Sequence, residues 1–178
     1  MKSLTAYIIE GLKLGKGSRH HFRPESKDEL KELLQQLIEE RGNDGDFNDI
    51  DTSAITDMSK LFFANKKFNG DISKWDVSNV ENMGGMFYWC HSFNQPLNDW
   101  NVSKVKSMDQ MFNDCFKFNQ PLNNWKVSKV ENMFAMFDGC RLFNQDISNW
   151  KVYKVRAKQR LFIFDDCPIE EKYKPKFK

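Results

Sequence analysis

Residues 93–117 read FNQPLNDWNVSKVKSMDQMFNDCFK, and residues 118–142 read FNQPLNNWKVSKVENMFAMFDGCRL. Laid over one another without a gap, the two stretches keep Phe, Asn, Trp, Val, Met and Cys in the same places, which marks a 25-residue repeat. The columns run on in both directions. Phe68, Phe93, Phe118 and Phe143 are each followed by Asn, at 69, 94, 119 and 144, and Trp75, Trp100, Trp125 and Trp150 recur at the same interval. Val77, Val102, Val127 and Val152 follow, then Val80, Val105, Val130 and Val155, then Met83, Met108 and Met133, and Met86, Met111 and Met136 ahead of Phe87, Phe112 and Phe137. Upstream, Ile50 stands at the Trp phase and Ile55 at the Val80 phase, with Met58, Leu61 and Phe62 continuing the pattern. Downstream, Lys158 and Leu161 fall at the two Met phases before Pro168. A unit this short can bury its apolar side only against its neighbours, so the columns predict a tandem stack with atypical terminal turns.

Inside one unit, Trp100 to Val102 suggests a short extended segment. Val105, Met108, Met111, Phe112 and Cys115 then recur at steps of three and four, the spacing of an apolar helical stripe. Ser78-x-x-Glu81 and Ser128-x-x-Glu131 carry capping-box signatures at that transition, and Ser103-x-x-Lys106 lacks the acidic member. The expectation is a strand followed by a helix in each unit, an α/β class. The Asn column is expected to bond loop backbone or the next Asn, and the Trp column to pack.

Ahead of the repeats, Leu4, Ile8 and Leu12 form an apolar line compatible with a short helix ending near Gly15 and Gly17, followed by the basic cluster Arg19, His20, His21 and Arg23. That cluster reads as a solvated loop, with anion contact as the alternative. Ser26-x-x-Glu29 then opens a second helix with Leu30, Leu33, Leu34 and Leu37 on one face and Arg41-Gly42 as its stop. This helix is a candidate cap over the first repeat, and the same leucines could instead dock a partner. The expected organisation is a helical capping segment over 1–45, repeats over 46–167 and a lysine-rich tail over 168–178.

With 40% hydrophobic, 14% aromatic and 29% charged residues, the chain is a folding one, and its formal charge of +2 gives no general argument for nucleic acid. No apolar run is long enough for a membrane span, and Glu10 interrupts the first apolar stretch, so no secretory leader is read. Cytoplasmic residence is the expectation, with the cell surface as the alternative. Cys90, Cys115 and Cys140 share one repeat phase and Cys167 stands apart, without CxxC or Cys/His ligand spacing, so they are expected as reduced packing residues and no cofactor or metal is implied. No nucleophile system or phosphate-binding loop is present in motif form, His91 has no motif partner, and Asp165-Asp166 alone specifies no acid–base chemistry. A non-enzymatic protein is therefore expected.

The pattern F-N-x-x-[IL]-x-x-W-x-V-x-x-V-x-x-M-x-x-M-F resembles the BspA-like leucine-rich repeat family over about Asp46 to Cys167. The resemblance implies a short right-handed, leucine-rich-repeat-like solenoid and a bacterial adhesion or interaction role. One outward column, Asp51, Asp76, Asn101, Lys126 and Lys151, changes from acidic to basic along the array, while Lys104, Lys129 and Lys154 recur beside it. Asn101, Lys126, Lys151, Tyr153 and Lys154 are accordingly the candidate partner-binding residues. The leading expectation is a protein-interaction or scaffolding module with another protein as partner. Self-association into a homo-oligomer, surface adhesion and weak nucleic-acid binding through the basic end are the alternatives, nucleic acid being the least expected and membrane insertion not expected.

Overall fold

The computed structural model describes residues 21–177, so the apolar line at Leu4, Ile8 and Leu12, together with Arg19 and His20, lies outside the described residues. Among them there is one α-helix, α1 (Lys27–Arg41), two short 3-10 turns (Ala157–Arg160 and Glu171–Tyr173) and no strand beyond isolated bridges. The α/β reading, and with it the leucine-rich-repeat-like solenoid of strands and helices, is therefore wrong. The 25-residue units do stack, but as coils of successive tight turns.

The reason lies in where the backbone hydrogen bonds go. Met83, Gly85, Phe87 and Trp89 donate their N–H groups to the carbonyls of Ser107, Asp109, Met111 and Asn113 in the next coil, at 2.7–2.9 Å. The intervening Met86, Tyr88 and Cys90 turn theirs back to Met83, Gly85 and Phe87, three residues earlier. Alternate amides thus bind between coils and within the coil, and the alternation repeats from Met58 to Ala64, Met108 to Asp114 and Met133 to Gly139. An α-helix would send every amide to the residue four back and hold every φ negative. Here two residues per coil, four apart, have positive φ: Lys60 and Ala64, Gly85 and Trp89, Gln110 and Asp114, Ala135 and Gly139, Phe162 and Asp166. The three- and four-residue spacing of Met, Met, Phe and Cys is real, since all are buried, but the turns produce it. The expected capping boxes have other uses: the Ser78 N–H donates to the Asp76 carboxylate at 2.9 Å, and Glu81 pairs with Lys106 at 2.7 Å.

Side chains continue the stacking. Phe62, Phe87, Phe112 and Phe137 lie face to face at 5.5 Å, and Phe68, Phe93, Phe118 and Phe143 at 5.9–6.0 Å, in two interleaved columns. The indole N–H groups of Trp75, Trp100, Trp125 and Trp150 donate to the carbonyls of Phe47, Ile72, Leu97 and Leu122 at 2.8–3.2 Å, so each ring is buried without an orphaned donor. Cys90, Cys115 and Cys140 are buried free thiols whose S–H groups reach the Phe62, Phe87 and Phe112 carbonyls at 2.9–3.0 Å. Asn69, Asn94 and Asn119 each accept, through Oδ1, the backbone N–H of the Asn one coil further on, at 2.9–3.0 Å, a contact of the kind their column implied.

The last coil is longer. Met108 donates to Asn132, but Met133 donates to Gln159, two residues beyond the 25-residue phase, and the 3-10 turn Ala157–Arg160 holds the extra length. Arg160 and Ile163, not Lys158 and Leu161, therefore take the two Met places. Ile163 is buried while Leu161 is half exposed, and Phe164 stacks on Phe137 at 5.9 Å.

Both ends are covered. In α1, Ser26 accepts the Glu29 N–H at 3.2 Å, Gly42 at φ +78° ends the helix, and Leu30, Leu33, Leu34 and Leu37 are buried in the core shared with the first coil. Lys27 and Arg41 fasten its two ends: Lys27 to Asp57 and Ser59, Arg41 to Asp49 by two bonds of 2.8 and 3.0 Å. These leucines are not free to dock a partner. At the other end, the segment read as a tail packs down, with Ile169 and Pro175 buried and the Tyr173 carbonyl accepting the Ile147 N–H at 3.0 Å.

Candidate interaction face

From Trp75 to Val80, and at the matching positions of the following coils, no backbone bond among the described residues crosses to a neighbouring coil, and the face is joined by side chains. Asn98 receives the Asn124 N–H at 3.0 Å, and the Asn149 amide reaches the Asn123 carbonyl at 2.7 Å. Between coils the face holds two shallow depressions of about 390 and 400 Å³, rimmed by Asn98, Trp100, Asn101 and Lys126 in one and by Asn123, Trp125, Lys126 and Lys151 in the next.

The acidic-to-basic change along this face has a local cause. Asp51, Asp76 and Asn101 each accept the N–H of the Ser two residues later, at 3.1, 2.9 and 3.2 Å, closing a small turn. Where Lys126 and Lys151 stand in that column the cap is absent, and an ammonium sits on the rim instead. Lys104 reaches Asn79 at 2.7 Å and Lys106 pairs with Glu81. Lys126, Lys129, Lys151 and Lys154 are exposed and enter no ion pair among the described residues. Tyr153 is 58% exposed at a phase held by Ser in the preceding coils. The structure thus gathers all five sequence-predicted residues on one side, with Asn101 and Tyr153 both engaged in contacts within the fold.

At the opposite end of the array three aspartates are already paired. Asp49 pairs with Arg41 and His21, Asp51 with Arg23 and Asp57 with Lys27, so the described part of the basic cluster ahead of the helix serves the protein's own acids. Burial alone would raise the Asp49 carboxyl, but the Arg41 hydrogen bonds and charge overcome it and hold it below the usual carboxylate range. The thiols go the other way: burial pushes Cys90 up to about 12 and Cys167 up to about 11. Among the described residues, no group of three His, Cys, Asp or Glu side chains is placed to hold a metal, and no helix is long and apolar enough to cross a membrane. His91, stacked on Phe116 at 4.2 Å, is lowered by burial and by Lys66.

A further surface escaped the sequence reading. Phe63, Tyr88 and Trp89 form a run of contacting rings at one corner, and two residues on from Trp89 His91 stacks on Phe116. Their only signal is that they interrupt columns whose other members are polar or small, such as Asn113, Asp138, Asp114 and Gly139.

No curated protein and no solved structure matches the chain. One family does, over residues 29–150 and again over 108–166, the overlap being what a repeated unit produces when it aligns in two registers. The first match alone spans more than half of the 178 residues, and the chain belongs to the family described as Mycoplasma protein of unknown function, DUF285.

Proposed function

We propose that this protein is a non-enzymatic interaction module that docks an acidic or mixed-polar protein surface along the lysine-bearing face. The observation that carries this reading is the set Lys126, Lys129, Lys151 and Lys154, exposed and without an ion pair among the described residues, on neighbouring coils whose side-chain links give them fixed spacing. Asp49, Asp51 and Asp57 at the other end are paired within the fold, and on the lysine-bearing side Glu81, bonded to Lys106, also feels Lys129, so Lys126, Lys151 and Lys154 carry most of the outward positive field. The reduced, buried cysteine column supports placing the protein in a reducing compartment such as the cytoplasm.

The test is affinity capture from the native source with the wild-type chain and with Lys126→Glu/Lys151→Glu/Lys154→Glu, followed by reconstitution with the purified captured protein. Reversal should abolish salt-sensitive binding while leaving the unfolding midpoint unchanged, since rim charges act on encounter and are screened by salt. Equal binding by the folded variant would remove this face from consideration. Preferential binding of an oligonucleotide would replace the protein partner by nucleic acid.

A further inference from the structure

The corner that closes the Met-Met-Phe stretch carries exposed rings that the packing columns do not require. Phe63 and Trp89 are 47% and 40% exposed, whereas Trp75, Trp100, Trp125 and Trp150 are 3–4% exposed. Phe63 stacks on Tyr88 at 5.1 Å, and Tyr88 lies 5.3 Å from Trp89. The Trp89 backbone stands at φ +61°, a conformation a bulky L residue rarely adopts. In the other coils the same place is held by Ala64, Asp114, Gly139 and Asp166, so stacking does not call for a ring there. A large apolar side chain kept at a strained position, with a large part of its surface left in water, is the pattern of a binding surface.

The surrounding charges narrow the occupant. The Lys60 ammonium lies 5.9 Å from the Phe63 centroid, Lys66 lies 5.9 Å from Trp89, and the Arg141 guanidinium lies 4.3 Å from Phe116. With ring faces set against cations or other rings, little face is left for a nucleobase or a sugar to stack on. Lys60 and Lys66 are themselves exposed, so cationic heads border the exposed rings. Lys67 and Lys117 are exposed close by in sequence. Negative charge lies on the other side of the corner, where Asp114 accepts the Trp89 indole N–H at 2.8 Å and Asp138, which accepts from the Asn113 amide at 3.2 Å, is raised by burial and by Asp114, Asp165 and Asp166, so the cationic edge is the one bearing Lys60 and Lys66. We infer that this corner docks an acidic polypeptide segment with an apolar anchor. Its carboxylates meet Lys60, Lys66 and Arg141, and the anchor covers Phe63 and Trp89. The inference rests on this corner alone and is independent of the lysine-bearing face.

Trp89 is its own reporter, because the tryptophans of the repeat column are buried. A short synthetic peptide with alternating glutamates and phenylalanines should protect the full chain from acrylamide quenching of its accessible tryptophan, and the same peptide with glutamines should not. Lys66→Glu should weaken binding of the fluorescently labelled acidic peptide roughly ten-fold or more at an unchanged melting midpoint. Trp89→Gly should remove the quenchable signal and the binding; it relieves the backbone but forfeits the ring's contacts with Tyr88 and Asp114, so binding is compared well below its lowered midpoint, and Lys66→Glu supplies the variant of unchanged stability. The inference fails if the acidic peptide gives no protection, if Lys66→Glu binds it as the wild type does, or if oligothymidylate protects Trp89 better than the peptide.

Discussion

Truncating Trp125 to alanine probes a packing column and its hydrogen bonds together. The ring is 3% exposed, stacks on Trp150 at 6.1 Å and donates to the Leu97 carbonyl at 2.8 Å. Removing about 200 Å² of buried ring at about 25 cal/mol per Å² gives about 5 kcal/mol, an upper figure because the unfolded chain keeps some of that burial. The hydrogen bond adds little to this, since the Leu97 carbonyl keeps the Trp100 N–H at 3.1 Å and is not orphaned. Its loss is worth about 1 kcal/mol. Trp125→Ala should therefore cost about 3–5 kcal/mol and Trp125→Phe about 1–2 kcal/mol, read as a lower urea midpoint at an unchanged slope. An alanine variant within about 1 kcal/mol of wild type, or a phenylalanine variant as costly as alanine, would refute the assignment of the ring to the core.

Three further outcomes are expected. At about pH 8 the buried thiols stay protonated and should label slowly in the native protein, with the half-buried Cys167 reacting first and all four reacting in urea; fast native labelling of Cys115 or Cys140 would contradict their burial. Gly139→Ala should cost about 1–2 kcal/mol, because φ is +71° and the new methyl would stand 2.5 Å from the Asp114 carboxylate, whereas Gln110→Gly, at φ +53°, should change stability by less than about 1 kcal/mol in urea unfolding. Asp49, lowered in the folded state, adds stability that is present above its unfolded pKa and is lost as pH falls through the folded value. The difference in melting temperature between wild type and Arg41→Gln should accordingly shrink below about pH 4.

The columns themselves were legible in the sequence, because side chains that touch their own copies in the next coil must recur at the coil length. Trp, Cys and Asn show this most directly, each repeated contact being one residue type meeting the same backbone group one coil away. The local structure was not legible, because an apolar residue every three or four positions suits a helix and a chain of turns equally. What separates them is the positive φ at Lys60, Ala64, Trp89, Gln110 and Asp114, and none of these is glycine; only Gly85 and Gly139 hint at it. The register of the final coil was hidden by its two extra residues, which put Lys158 and Leu161 at phases that Arg160 and Ile163 fill in space. Of the surface, the lysine face could be read because outward columns change charge smoothly. The aromatic corner was harder to see, since Phe63 and Tyr88 share a phase for two coils only before Asn113 and Asp138 take it over, and Trp89 stands alone in its column.

The alternating ladder is most directly tested by NMR couplings across hydrogen bonds in isotope-labelled protein. The Phe87 amide nitrogen should couple to the carbonyl carbon of Met111, and the Cys90 amide nitrogen to that of Phe87. Coupling of the Phe87 amide to the carbonyl of Met83, four residues back, would mean a helix and would contradict the stacked coils.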